Sequence, residues 1–341
     1  MGVSKLNFVH MNQFGRIFKV SIFGESHGPM VGVVLDGIKP GIPLTETDFF
    51  PMLQRRRGGV LAGTTPRQET DHPIFLSGVF QGKTTGAPLT IGFENKNTDP
   101  KSYDQLIDTP RPGHADFVAR TKFGGYNDFR GGGHFSGRLT VGLVAAGVVA
   151  HKQITFLHQS EKSISIESKI LELGGISDLD QAVEQAVHDQ DSIGGLIECR
   201  VKNLPIGYGE PFFDSLESMI SHAVFSIPAI KGIEFGSGFA AAKMRGSQHN
   251  DSFIDVSGKT NTNHAGGIAG GISNGNELVF RIAVKPTSST PSAQQTLNLK
   301  TNQMEKVSVS GRHDLCIALR VPPVLEAVTA IVLADAQLLS K

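Results

Sequence analysis

At 341 residues the chain is long enough to bury a substantial core in one or two domains, and its 39% hydrophobic and 19% charged composition excludes disorder. Its 32 basic and 32 acidic residues cancel, which removes any global electrostatic case for nucleic acid or an anionic membrane and leaves that role to local clusters. Two distant cysteines, Cys199 and Cys316, exclude a disulfide scaffold or a zinc ribbon and suit a reducing, cytoplasmic compartment.

The opening stretch lacks the charged start, apolar run and cleavage site of a secretory leader. Branched apolar residues predict a first strand over 18–23, which runs into Gly24-Glu25-Ser26-His27-Gly28. Glycines on both sides of a histidine at a strand end permit a sharp turn and leave an acid or base near neutral pH, although an incidental surface histidine in a turn has the same sequence. A strand over 32–35 precedes helical spacing over 46–55, which ends in Arg55-Arg56-Arg57-Gly58-Gly59 with Arg67 beyond. Such a run is either a solvated face at a helix end or a set of guanidinium forks for carboxylate and phosphate.

Strands are expected over 74–79 and 89–93, and then Arg111-Pro112-Gly113-His114-Ala115-Asp116 sets Arg, His and Asp beside a rigid turn. Asp116 either orients His114 or caps the helix that follows. Arg130-Gly131-Gly132-Gly133-His134-Phe135-Ser136-Gly137-Arg138 opens a helix over 137–154, whose apolar run at 141–150 is too short to span a bilayer and reads as buried. Free N–H groups at that helix start, with Ser136 and the glycines, suit a phosphate or a flavin edge. No Lys-Ser or Lys-Thr pair makes it a P-loop, and the polar stretch before it disfavours a dinucleotide fold.

Further helices are expected over 179–187, 214–224 and 324–339, with strands over 196–201 and 278–284. The Gly-rich segment 263–275 leads into the last strand, which ends in Lys285-Pro286-Thr287-Ser288-Ser289, a lysine with three hydroxyls able to clasp phosphate. Gly311-Arg312-His313-Asp314 and Arg320 come last; Asp314 is a positioned base or the centre of an ion pair. None of the twelve histidines forms HExxH or pairs with a cysteine, so no metal site is expected. Strands and helices mix throughout with no dividing linker or repeat, which predicts a single α+β domain with long functional loops, 286–312 among them. Loops that join Arg, Lys or His to Gly in a chain of balanced charge imply a cationic pocket for small polyanions.

In this order GESHG, RRR, RPGHAD, RGGG with Ser136 and Arg138, NHAGGI, GGIS, KPTSS and GRHD resemble the chorismate synthase family, as do segments 191–195, 207–214 and 227–232. The resemblance covers nearly the whole chain. It implies a β-α-β sandwich of antiparallel sheets and helices over 11–341, with residues 1–10 as an extension, and a homotetramer that binds neither nucleic acid nor membrane. The implied reaction is the trans 1,4-elimination of phosphate from 5-enolpyruvylshikimate 3-phosphate to give chorismate. It requires reduced FMN, with NADPH only if the chain also reduces its own flavin.

By matching motif, the resemblance makes His27 the acid for the departing phosphate, His114 the acid beside the flavin, and Asp314 the acceptor of the substrate proton by way of the flavin. It gives the substrate anions to Arg56, Arg57, Arg111, Arg138 and Arg320. It gives FMN to Arg56, His134, Phe135, Ser136, Pro228, Ala229, Gly270, Lys285, Pro286, Thr287, Ser288, Ser289 and Arg312. Three departures stand out: His134-Phe135-Ser136-Gly137 where many members have Arg-Ser-Ser-Ala, Ala62 in place of an arginine, and Leu315 in place of a proline. Two rival readings are an oxidoreductase that spends NAD(P)H at every turnover and a flavin-binding module with no chemistry.

Overall fold

Alternating branched residues near the N-terminus form strands β1 (Gln13–Phe14), β2 (Lys19–Gly24) and β3 (Met30–Asp36), joined by β4 (Ile74–Ser77) and β5 (Leu89–Glu94). In the computed structural model, which describes residues 12–59, 62–65, 69–97, 106–158, 162–309 and 313–340, these five make one antiparallel sheet in the order β1-β2-β3-β5-β4. A second antiparallel sheet, ordered β8-β9-β7-β6, is built from β6 (Ser165–Leu173), β7 (Gly195–Lys202), β8 (Ile230–Phe235) and β9 (Leu278–Val284). Between the sheets lie a central helix, Thr140–Leu157, against β2, β3 and β5, and the C-terminal helix, Pro322–Leu339, against β6 and β7. The fold is therefore a sandwich of sheet, two helices and sheet, in agreement with the α+β expectation.

Being covered on opposite sides explains why both helices are apolar nearly all round. The segments Gly137–Leu157 and Pro322–Leu339 are long and apolar enough to cross a membrane, yet they are 67% and 89% buried within this fold. They meet backbone to backbone at Gly147, where a Cβ would fall 2.3 Å from Ala327 Cα, so any larger residue would push the helices apart. Two buried carboxylates on the C-terminal helix tie in distant segments. Asp335 accepts from the backbone N–H groups of Arg16, Ile17 and Phe18 at 2.8–2.9 Å. Glu326 takes both Nη atoms of Arg55 and the N–H and hydroxyl of Ser168. Each carboxylate is thereby satisfied by several donors, as burial demands.

Several expected elements need correction. The strand over 74–79 breaks at Gly78, where φ is +83°, and Val79–Phe80 pairs instead with Lys83–Thr84. Segment 286–312 is no plain loop, since Gln294–Asn298 and Gln303–Val307 form an antiparallel hairpin. Strands β6 and β8 were not expected; both lie at sheet edges, and the charges that edges carry masked their alternation. Asp116 does not cap the helix Asp116–Lys122, because Ala115 is the N-cap and makes no side-chain bond there.

Candidate active site

Where the first sheet meets the start of the central helix, the loops enclose a cleft of about 860 Å3. The tight RGGGH segment forms one wall. Gly131, Gly132 and Gly133 all have positive φ, and a Cβ at Gly131 would fall 2.3 Å from His27 Cε1. Only glycine lets this backbone lie flat against the His27 ring. Ser26 N–H donates to Gly133 O at 3.1 Å, and His134 Nδ1 donates to Gly24 O at 2.8 Å, so the two loops are bound together.

Arginines occupy the floor. Arg56 is buried and donates to Thr140 Oγ1, Asp71 Oδ2 and the carbonyls of Gly137 and Arg138. Burial pushes its guanidinium down to about 9 against the pull of Asp71, with Arg320 and Arg138 adding repulsion. Arg138, also buried, donates to the other oxygen of Asp71 and to Asn95 Oδ1. Burial drives the Asp71 carboxyl up, but Arg56 and Arg138 outweigh it and hold the group below the ordinary carboxylate range. Arg57 is held by the Glu69 carbonyl at 2.8 and 3.0 Å. Arg320 donates to the Arg56 carbonyl and to Asp314, which also accepts from Thr65 N–H at 2.9 Å.

Opposite stands a second cluster. Arg111 donates through Nε and Nη2 to Asp116 and through Nη1 to Ser289 Oγ, while Asp116 Oδ1 lies 2.5 Å from His114 Nδ1. Lys285 Nζ donates to Ser288 Oγ, and Ser288 in turn to Gly113 O, which joins the KPTSS and RPGHAD loops. Burial, followed by Lys231, lowers the Lys285 ammonium. Burial and then Arg111 push His313 down to about 4, so it faces the cleft as a neutral ring at ordinary pH.

Asp116 links the site to stability. Burial raises its carboxyl, but the bonds from Arg111 and His114 carry it well below the ordinary 3.8. A depressed folded value stabilises the native state fully above the unfolded value, and that contribution is lost as pH falls through the folded one. Asp116→Asn should therefore cost roughly 1–3 kcal/mol at neutral pH and flatten the acid limb of the stability curve. Urea midpoints between about pH 2 and pH 7 check this, and an acid limb identical to wild type would refute the linkage.

The cleft gathers Arg56, Arg57, Arg111, His114, Arg138, Asp314 and Arg320 with His134, Phe135, Ser136, Pro228, Ala229, Lys285, Thr287, Ser288 and Ser289. Other expectations differ. His27 lies half-buried behind Gly131 and does not itself line the cleft; Ser26 does. Neither Pro286 nor Gly270 lines the cleft; Gly270 turns a short hairpin between Ile268–Ala269 and Ile272–Ser273. Arg67 and Arg312 lie outside the described residues. Asp71, Glu69 and Asn95 went unnoticed, because isolated acids and amides between elements carry no motif. Among the described residues six basic side chains line the cleft (Arg56, Arg57, Arg111, Arg138, Lys285, Arg320) against three carboxylates (Glu69, Asp71, Asp314), which makes their sum cationic. Phe14, Ile22, Leu143 and Ile317 supply an apolar wall.

The family model described as chorismate synthase matches residues 18–338. A chorismate synthase of Chitinophaga pinensis is 62% identical over 331 residues, covering 97% of this chain and 98% of that protein. One from Dehalococcoides mccartyi is 43% identical over 353 residues, covering 95% and 96%. A solved crystal structure of chorismate synthase superposes with a TM-score of 0.71 at 25% identity, covering 95% of this chain and 93% of that one.

Proposed function

The chain belongs to the chorismate synthase family, and on that premise we propose that it is a carbon–oxygen lyase that eliminates phosphate from 5-enolpyruvylshikimate 3-phosphate to give chorismate, with reduced FMN bound beside the substrate. The observation that carries this reading is the convergence of six basic side chains on one cleft that also holds His114 and Asp314. A substrate with two carboxylates and a phosphate, next to a flavin phosphate, needs such a cationic surround.

The residues present suit the flavin. A cleft of about 860 Å3 falls within the range of small-molecule sites and leaves room for a second ligand. Its apolar wall suits a planar ring, and Lys285 with Ser288 and Ser289 suits a phosphate. Reduced FMN held by these residues would supply an electron-rich ring beside the breaking C–O bond.

The protein's own residues move the protons. The C–O bond to phosphate breaks with its electron pair, a ring C–H proton leaves, and a second ring double bond forms, so no electrons are gained or lost overall. Asp314 takes the ring proton at its carboxylate, and His27, which stands behind Gly131 and outside the cleft wall, gives its proton to the departing phosphate through a bridging water. His114, held at Nδ1 by Asp116, keeps a proton available on the flavin side. Arg57, Arg111, Arg138 and Arg320 bind the substrate anions, while Arg56, already committed to four protein acceptors, sets the floor beneath them.

A homotetramer in the cytoplasm belongs to the same reading. Phe212, Phe213, Phe239 and Phe253 are exposed on one protomer and would be covered by self-association. The free, buried thiols of Cys199 and Cys316 suit a reducing compartment. NADPH enters only if the chain reduces its own flavin.

An anaerobic assay with dithionite-reduced FMN and the phosphorylated enolpyruvyl substrate tests the reaction by following phosphate and the conjugated diene. Release of both with catalytic flavin is the expected result. Stoichiometric NAD(P)H loss would point to the oxidoreductase instead, and binding without phosphate release would point to a module with no chemistry.

A further inference from the structure

Asn95 is the first residue after β5, and its side chain joins the two halves of the proposed chemistry. Its Nδ2 donates to the carbonyls of Glu25 at 3.0 Å and Gly28 at 2.8 Å, while its Oδ1 accepts from Arg138 Nε at 2.9 Å. Its backbone N–H donates to Pro29 O at 3.1 Å. Both amide protons and the amide oxygen are thus engaged, and only this orientation matches donors to carbonyls and acceptor to guanidinium. The two carbonyls are the ends of a turn closed by Gly28 N–H to Glu25 O at 3.1 Å, and His27 sits inside that turn. Arg138 is anchored in turn by Asp71. A continuous path of hydrogen bonds therefore runs from Asp71 through Arg138 and Asn95 to the backbone on either side of His27.

We propose that Asn95 is a positioning residue that fixes the His27 turn relative to Arg138, so that the acid and the anion-binding guanidinium meet the same phosphate. The inference rests on the elimination proposed above. As the C–O bond breaks and its electron pair leaves with phosphate, the His27 proton passes through a bridging water to a phosphate oxygen, and His27 is reprotonated from solvent. Asn95 touches no reacting atom and sets where that proton stands. Asp71 and the Glu94 carbonyl hold Arg138, and the Ser26–Gly133 and His134–Gly24 bonds hold the loop of His27, so the amide fixes the spacing between the two rather than the place of either alone.

Asn95→Asp tests this with little change of shape, since it keeps an oxygen for Arg138 but turns oxygen towards the two carbonyls. Its kcat should fall roughly 10- to 100-fold, the scale of a small misplacement of a reacting group, with KM within about threefold. The limb of the pH–kcat profile that His27→Ala removes should shift. In a His27→Ala background the same substitution should change kcat by less than about threefold, because residues that act as a unit do not add. A purely structural lesion would instead persist in that background, and a full additive loss there overturns the inference while leaving the elimination standing. An Asn95→Asp kcat within about threefold of wild type overturns it as well. Wild-type turnover by His27→Ala itself removes both the acid assignment and the role of Asn95.

Discussion

Replacing Asp71 with asparagine should cost roughly 3–5 kcal/mol of stability, the scale for removing one partner of a buried ion pair. This carboxylate is 6% exposed and sits between two buried guanidiniums, one on each oxygen: Arg56 on Oδ2 and Arg138 on Oδ1. An amide can accept from one arginine, but its N–H2 then faces the other, which leaves a buried charge uncompensated. Backbone strain does not confound the experiment. Asp71 has a φ of +48°, and asparagine tolerates that left-handed region as well as aspartate does. Because Arg56 and Arg138 form the floor of the cleft, turnover measured below the melting temperature should fall roughly 100-fold or more. Urea denaturation and the phosphate-release assay provide the two readouts. Stability within about 1 kcal/mol of wild type would show that the two arginines do not depend on this carboxylate.

Asp314→Asn is expected to lower turnover without weakening binding. With its oxygen at the Oδ1 position the amide still accepts from Thr65 N–H at 2.9 Å and from Arg320 at 3.3 Å and loses only the Oδ2 bond to Arg320, so the local fold should survive. A proton acceptor is nevertheless lost, and kcat should fall by roughly 10²- to 10⁴-fold, the range of general base catalysis. Substrate affinity should hold or improve, because Arg320 loses its internal counter-charge and becomes freer to bind an anion. This split between kcat and binding distinguishes a base from the centre of an ion pair. A kcat within about threefold of wild type, accompanied by weaker binding, would assign Asp314 a purely structural role.

The strand over 278–284 and the buried character of the helix beginning near 140 were legible because strict apolar patterning has few other physical meanings. The edge strands Ser165–Leu173 and Ile230–Phe235 were not, since Glu167, Lys169 and Glu172 in one and Lys231 and Glu234 in the other interrupt the apolar pattern. The same division holds in the site. Motifs such as RPGHAD and KPTSS announced themselves because glycine, proline and charge must stand next to one another to shape a binding loop. Asp71 and Asn95 carry no local signal, and their partners lie 67 and 43 residues away at Arg138.

The sequence by itself determined the chemical inventory: which loops bear acids, bases and anion-binding forks, and that overall charge balance confines any polyanion site to those loops. Tertiary structure alone decided that Arg56 spends its guanidinium on the protein, that His27 lies behind a glycine wall, and that one carboxylate and one amide hold the cationic floor in register. The reason is physical. A side chain's chemical type is local, but its desolvation and its partners are set by atoms brought together only when the sheets close over the two buried helices.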